Sequence, residues 1–326
     1  MSAAARIAMF AALLAAIFAA ASVAGAKLEP SVSSSREHPG DEDMNGHATT
    51  TETIDQHAEA GHEPKVGEAM LPGLAVARAG YQLVPQQTEL PSAPDAGYRF
   101  RIVGADGETV QDFDTEHERR MHLIVVRRDF HNFQHLHPEQ LADGSWAAEA
   151  DLDQAGVYRV FADFAAEGQS LTLASDLFVA GPFEPKPLAA PSSTAAASDG
   201  YEVTLDSATP RAGAATQARF SISRAGEALD SVEPYLGADG HLVALREHDQ
   251  AFLHTHPEGE PGGPGPISFQ VHYPTAGRYR LFLQFKHRGE VRTAAFTQEA
   301  IGTGAKADAG TQTDDHDEVG EADHGH

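Results

Sequence analysis

Cysteine is missing from this chain altogether, tryptophan occurs once, and 23 lysines and arginines face 48 aspartates and glutamates. Without cysteine there are no disulfides, no thiol nucleophile, no lipid-bearing cysteine and no thiolate for a blue-copper site. The formal net charge of −25 sets the chain against nucleic acid, whose phosphates an acidic surface repels, and suits attraction of cations. Beyond residue 26 no apolar run is long enough to cross a bilayer as a helix. G-x-S-x-G, H-E-x-x-H and the P-loop are absent too, so no catalytic motif points to an enzyme.

What is present starts with a positive residue, Arg6, an Ala/Leu/Ile/Phe-rich run, and Ala24-Gly25-Ala26 as a small-residue cleavage site. Residues 1–26 therefore read as a signal peptide, which implies a periplasmic or secreted protein with Lys27 at its mature terminus. Residues 27–70 are polar, acidic and dotted with histidine (His38, His47, His57, His62), and 299–326 are similar; both read as disordered arms. Residues 181–200, rich in Pro, Ala and Ser, read as a linker.

On either side of that linker, residues 80–180 and 201–298 repeat one another. AGVYRVFADF (155–164) matches AGRYRLFLQF (276–285), with Tyr, Val or Leu and Phe alternating as in strands. Short strand-like runs separated by turn signals such as GADG and HRGE indicate an all-β chain. D-x-A-G-x-Y ending at Tyr158 and T-A-G-x-Y ending at Tyr279 have the form of a tyrosine corner. The expected fold is two tandem immunoglobulin-like β-sandwiches.

The strongest repeat is MHLIVVRRDFHNFQHLHPE (121–139) against GHLVALREHDQAFLHTHPE (240–258), aligned without a gap at an offset of 119 residues (241 − 122). His122, His135 and His137 coincide with His241, His254 and His256, giving His-x12-His-x-His twice. MHLIVV is apolar on both faces and belongs in a buried strand. Histidines two apart on a strand share a face, and a hairpin would bring the early histidine towards the later pair. The residue between each pair differs, Leu136 against Thr255, so that face is expected to vary freely. Three imidazoles with a vacant or carboxylate-filled fourth position suit Cu(II), Zn(II) or Ni(II). Glu139 and Glu258 follow each pair and are placed to close such a site. Met121, a thioether useful to Cu(I), is Gly240 in the second copy; His131 (Gln250 in the second copy) and His272 (Asp151 in the first) are further candidates. The spacing leaves open whether each repeat carries its own site or the two share one. The alternative is structural: histidines that fix loops in a metal-free module that docks a partner protein.

HLIVVRRD…FQHLHP followed by AGxYRVFADF resembles secreted or periplasmic bacterial heavy-metal-handling proteins with immunoglobulin-like modules, loosely similar to the YtkA-like domain and CopC-type copper-resistance proteins. The resemblance implies a non-enzymatic protein that buffers or delivers copper, as Cu(II) or Cu(I), with Zn(II) as second choice, beside a metal efflux or delivery protein. CopC-type proteins use a histidine at the mature N-terminus, where this chain presents Lys27, so only the internal histidines carry over.

Overall fold

A computed structural model describes residues 71–253 and 255–303, and among them there is no α-helix. The signal peptide, the arm 27–70, nearly all of the tail and His254 lie outside the described residues.

The first repeat opens with β1 (Ala77–Arg78), β2 (Tyr81–Pro85), β3 (Glu89–Pro91), β4 (Ala93–Val103) and β5 (His122–Arg127). It continues through β6 (Gln134–Leu136), β7 (Glu139–Gln140), β8 (Trp146–Leu152), β9 (Gly156–Ala166) and β10 (Gln169–Ala180). Two sheets result, β1-β2-β4-β8-β7 and β3-β10-β9-β5-β6. The second repeat holds β11 (Thr194–Ala197), β12 (Tyr201–Ser207), β13 (Ala214–Arg224), β14 (Glu227–Ala228) and β15 (His241–Arg246). After these come β16 (Phe252–Leu253), β17 (Thr255–Glu258), β18 (Ile267–Tyr273), β19 (Gly277–His287) and β20 (Glu290–Ala300). Its sheets are β11-β12-β13-β18-β17, with β14 on β13, and β16-β15-β19-β20. Both repeats are immunoglobulin-like sandwiches, as their spacing of strands and turns predicts.

The tyrosine corners are formed. Near the start of β9, Tyr158 donates its hydroxyl to the Gln154 carbonyl at 2.7 Å; in β19, Tyr279 donates to the Thr275 carbonyl at 2.8 Å. The expected linker is shorter than its composition suggests. Ala195 and Ala197 in β11 pack against the second core, so an edge strand occupies residues read as connector.

Alternation along β5 and β9 decides where everything else sits. Leu123 and Val125 of β5 join Tyr158, Val160, Ala162 and Phe164 of β9 in the core between the first repeat's sheets. Ile124, Val126 and Phe161 point the other way and cluster with Val243, Leu245, Phe252 and Phe282 of the second repeat. All six residues of β5 are consequently buried, and its doubly apolar sequence is explained by two cores rather than one. The repeats pack through equivalent faces, and the histidines lie on that face.

Candidate metal centre

His122 opens β5 on the same face as Ile124 and Val126, and it is 2% exposed. β6 returns antiparallel with Leu123 opposite Leu136 and Ile124 opposite His135. This register puts His135 on the inter-repeat face and, continued one step, sets His137 against His122. The ligand-capable atoms of His122, His135 and His137 lie within 4.8 Å of one another. The hairpin does what the spacing predicts.

The cluster does not end with one repeat. His241 opens β15 in the equivalent position, and across the interface its ring lies 4.5 Å from His135 and 5.7 Å from His122, stacked on the latter. His117, in the turn before β5, adds a fifth ring, 6.0 Å from His122 and 5.9 Å from His241. The sequence pattern missed His117 because it has no histidine counterpart in the second copy; the only signal was its position five residues ahead of His122.

The second triplet is not assembled in the same way. Up to Leu253 its hairpin keeps the register of the first, with Ala244 opposite Leu253. Thr255 then pairs with Val271 in the opposite sheet, and His256 follows it to face Gln270, exposed to solvent. The residue between the histidines makes the difference. Leu136 packs against the first core, whereas Thr255 instead donates its hydroxyl to the Leu242 carbonyl at 2.7 Å. That position is therefore not free to vary, contrary to the expectation from sequence.

The further candidates mostly serve other ends. Met121 is buried in the first core, on the face away from the histidines. A Cβ at Gly240, its counterpart, would meet the Gln284 carbonyl at 2.7 Å, which explains why no methionine stands there. The His131 ring sits 3.0 Å from the Asp129 carbonyl and braces the β5–β6 connection. Glu258 accepts from Gln217 at 2.6 Å and from Gln270 at 2.9 Å in the far sheet, and His272 is exposed on β18. Glu139 lines a surface cleft together with His137, so of Glu139 and Glu258 it is the one near the cluster.

Burial disfavours the charged form of His122, His135, His137 and His241. It lowers His122 to about 4, His135 to about 3 and His137 to about 4. It also takes His241 well below the ordinary imidazole value. Neighbouring histidines push His122, His135 and His241 further down, and Arg119 does the same to His137. Beside His122 in register stands Asp163, which accepts from Thr172 at 2.6 Å and is raised to about 6 by burial. Neutral imidazoles offer lone pairs, which is the state metal ligation needs.

The metal-free protein is therefore expected to lose stability in acid. In the unfolded chain these histidines bind protons near pH 6.5, whereas in the folded one His122 and His137 do so only near 4, His135 near 3, and His241 well below its ordinary value. Stability is present above the unfolded value and lost as pH falls through the folded ones. For His122 alone the loss between pH 7 and pH 5 is about 2 kcal/mol. Asp163 runs the other way but is one group against four. Urea midpoints at the two pH values check this, and equal midpoints would mean the imidazoles are charged in the fold.

Residues 77–181 and 195–302 each match one family model, described as a domain of unknown function, DUF8832. The sequence matches none of the curated proteins. Among solved structures, the Escherichia coli adhesin FdeC aligns at 15% identity over 71% of this chain and 66% of its own, with a TM-score of 0.24. Yersinia pseudotuberculosis InvD aligns at 11% over 72% of this chain and 61% of its own, TM-score 0.23. A chimeric titin Z1Z2 tandem aligns at 13% over 68% and 96%, TM-score 0.18. This chain thus spans less than two thirds of either bacterial structure. Likeness this low carries nothing about what the chain binds.

Proposed function

The chain belongs to the DUF8832 family of unknown function, whose domain it carries twice, and we propose that it binds one transition-metal ion between its two repeats. His122, His135 and His137 are the ligands, and His241 completes the set from the other repeat. Copper is the favoured metal and zinc the second. The role is non-enzymatic: buffering the ion, or delivering it to an efflux or transfer protein, outside the cytoplasm. The signal-like residues 1–26 and the resemblance to heavy-metal-handling proteins support export and copper. Among the described residues no helix is long and apolar enough to cross a membrane.

One observation carries the reading. His122 Nε2 lies 3.2 Å from the Glu116 carbonyl, which can only accept, so Nε2 holds the proton and Nδ1 a lone pair. His135 Nδ1 lies 2.7 Å from the Gln284 side-chain oxygen, which assigns its proton the same way and leaves Nε2 with a lone pair. These two lone-pair nitrogens face each other at 3.0 Å. Bare, they repel; a cation between them turns the repulsion into two bonds. Ligating histidines commonly donate their other ring N–H to a carbonyl, the part Glu116 and Gln284 would play.

Two further facts agree. His137 Nε2 is buried without a hydrogen-bond partner. The rings of His122, His135 and His137 are 5.1, 5.2 and 4.9 Å apart. Imidazoles sharing a tetrahedral ion at about 2.0 Å have ring centres about 5 Å apart. Turning the Gln284 amide end for end is the metal-free resolution, since its nitrogen would then donate to His135 Nδ1 and free Nε2–H to bridge the gap.

Thermal unfolding tests the reading. An ion bound only by the folded state stabilises it by about 2.7 kcal/mol at a hundred times its Kd, which moves the melting temperature by about 5–10 °C. Cu(II) or Zn(II) is expected to give this shift at pH 7. No shift with any divalent ion would favour a metal-free docking module instead.

A further inference from the structure

His117 is exposed, whereas His122 is buried and His135, His137 and His241 are half-buried, and the backbone that holds His117 is strained. Glu116 and Arg119 exchange both backbone hydrogen bonds, at 2.8 and 2.9 Å, around a two-residue turn. His117 and Glu118 at its centre have φ of 47° and 64°, the left-handed pair that such turns normally fill with Asn and Gly. The second repeat keeps the turn at Tyr235–Ala238 but uses Leu236, buried, and Gly237, which relieves the second position. The first repeat retains the strain at both positions and gains an imidazole. The same turn supplies the Glu116 carbonyl that fixes the tautomer of His122.

We propose that His117 is the entry ligand of the centre: it takes a divalent ion at the surface and passes it to His122, His135 and His137. The proposal rests on the metal reading above. Its ring is about 6 Å from those of His122 and His241, a separation two imidazoles can share across one ion at a wide angle, and it falls outside the tight three-histidine group. Each step exchanges a water or an imidazole nitrogen for the next imidazole nitrogen on the same ion, with no change of oxidation state and no proton transferred. His117 lets go once the three clustered histidines are in place, so it governs the rate of exchange and not the final affinity.

The test is loading and unloading of Zn(II), exchanged with a chromogenic chelator in stopped flow, on the full chain. His117→Asn is the informative variant, because Asn tolerates the left-handed conformation and keeps the turn. Both rates are expected to fall about tenfold, with Kd unchanged within about twofold. Glu118→Gly, which relaxes the turn and leaves the imidazole, is expected to keep rates near wild type and shows that the turn itself is not what is measured. Unchanged rates in His117→Asn would overturn the proposal. So would a tenfold weaker Kd at a normal loading rate, which would make His117 a resident ligand. If the wild-type chain takes up no Zn(II), the metal reading falls first and the entry role with it.

Discussion

Replacing His135 by alanine is expected to weaken binding of Cu(II) or Zn(II) by more than about a hundredfold, because loss of an outer-sphere partner alone costs about 10–100-fold and His135 is proposed as a direct ligand. Its position makes it the most sensitive of the set. It faces His122 at 3.0 Å, is held by Gln284 of the second repeat at 2.7 Å, and lies nearest His241. His256→Ala is the matched control. That residue occupies the equivalent of His137 in the repeat, yet it is exposed in the opposite sheet, and its loss is expected to leave affinity unchanged. Equal losses in both variants would mean that the motif is used twice. A small loss in each would return the histidines to a structural role.

The second large effect is expected at Phe282. Its ring stacks on Phe133 at 4.0 Å, it is 2% exposed, and it belongs to the apolar cluster shared by the repeats. Phe282→Ala is expected to cost about 3–5 kcal/mol, the range for removing a buried phenylalanine. The consequence reaches the proposed metal centre. Phe133 directly precedes β6, which carries His135, while Phe282 pairs in register with Val243, two residues from His241. Metal affinity should fall along with stability, although no ligand is touched. Denaturant unfolding with and without Zn(II) checks both. A loss below about 1 kcal/mol would show that the repeats do not depend on this contact.

How far the sequence reached follows from what it could encode locally. The alternation in AGVYRVFADF and the tyrosine corners gave the sandwiches, because period-two burial and an i to i−4 hydroxyl bond are short-range properties. His122, His135 and His137 were legible for the same reason: one hairpin, read from spacing, brings them together. His241 was found as a candidate ligand, but the spacing left open whether it serves its own repeat or a site shared by both. Nothing local could reveal that two outward faces pack on each other, since a doubly apolar strand says that both its faces are covered and not what covers them. The early departure of Thr255 from its hairpin, which carries His256 away, hinges on one hydroxyl in place of one leucine. His117 escaped because repetition was the guide to the site, and it lies where the copies differ.

The central claim is a single tight centre shared by the repeats, and the number of ions bound tests it most directly. Zn(II) is titrated into the full chain and into His135→Ala against a chelator strong enough to compete with the histidines of residues 27–70 and 299–326, which both proteins carry. One tight equivalent in the wild type and none in the variant is the predicted result. Two tight equivalents in the wild type, or one that survives in His135→Ala, would contradict it.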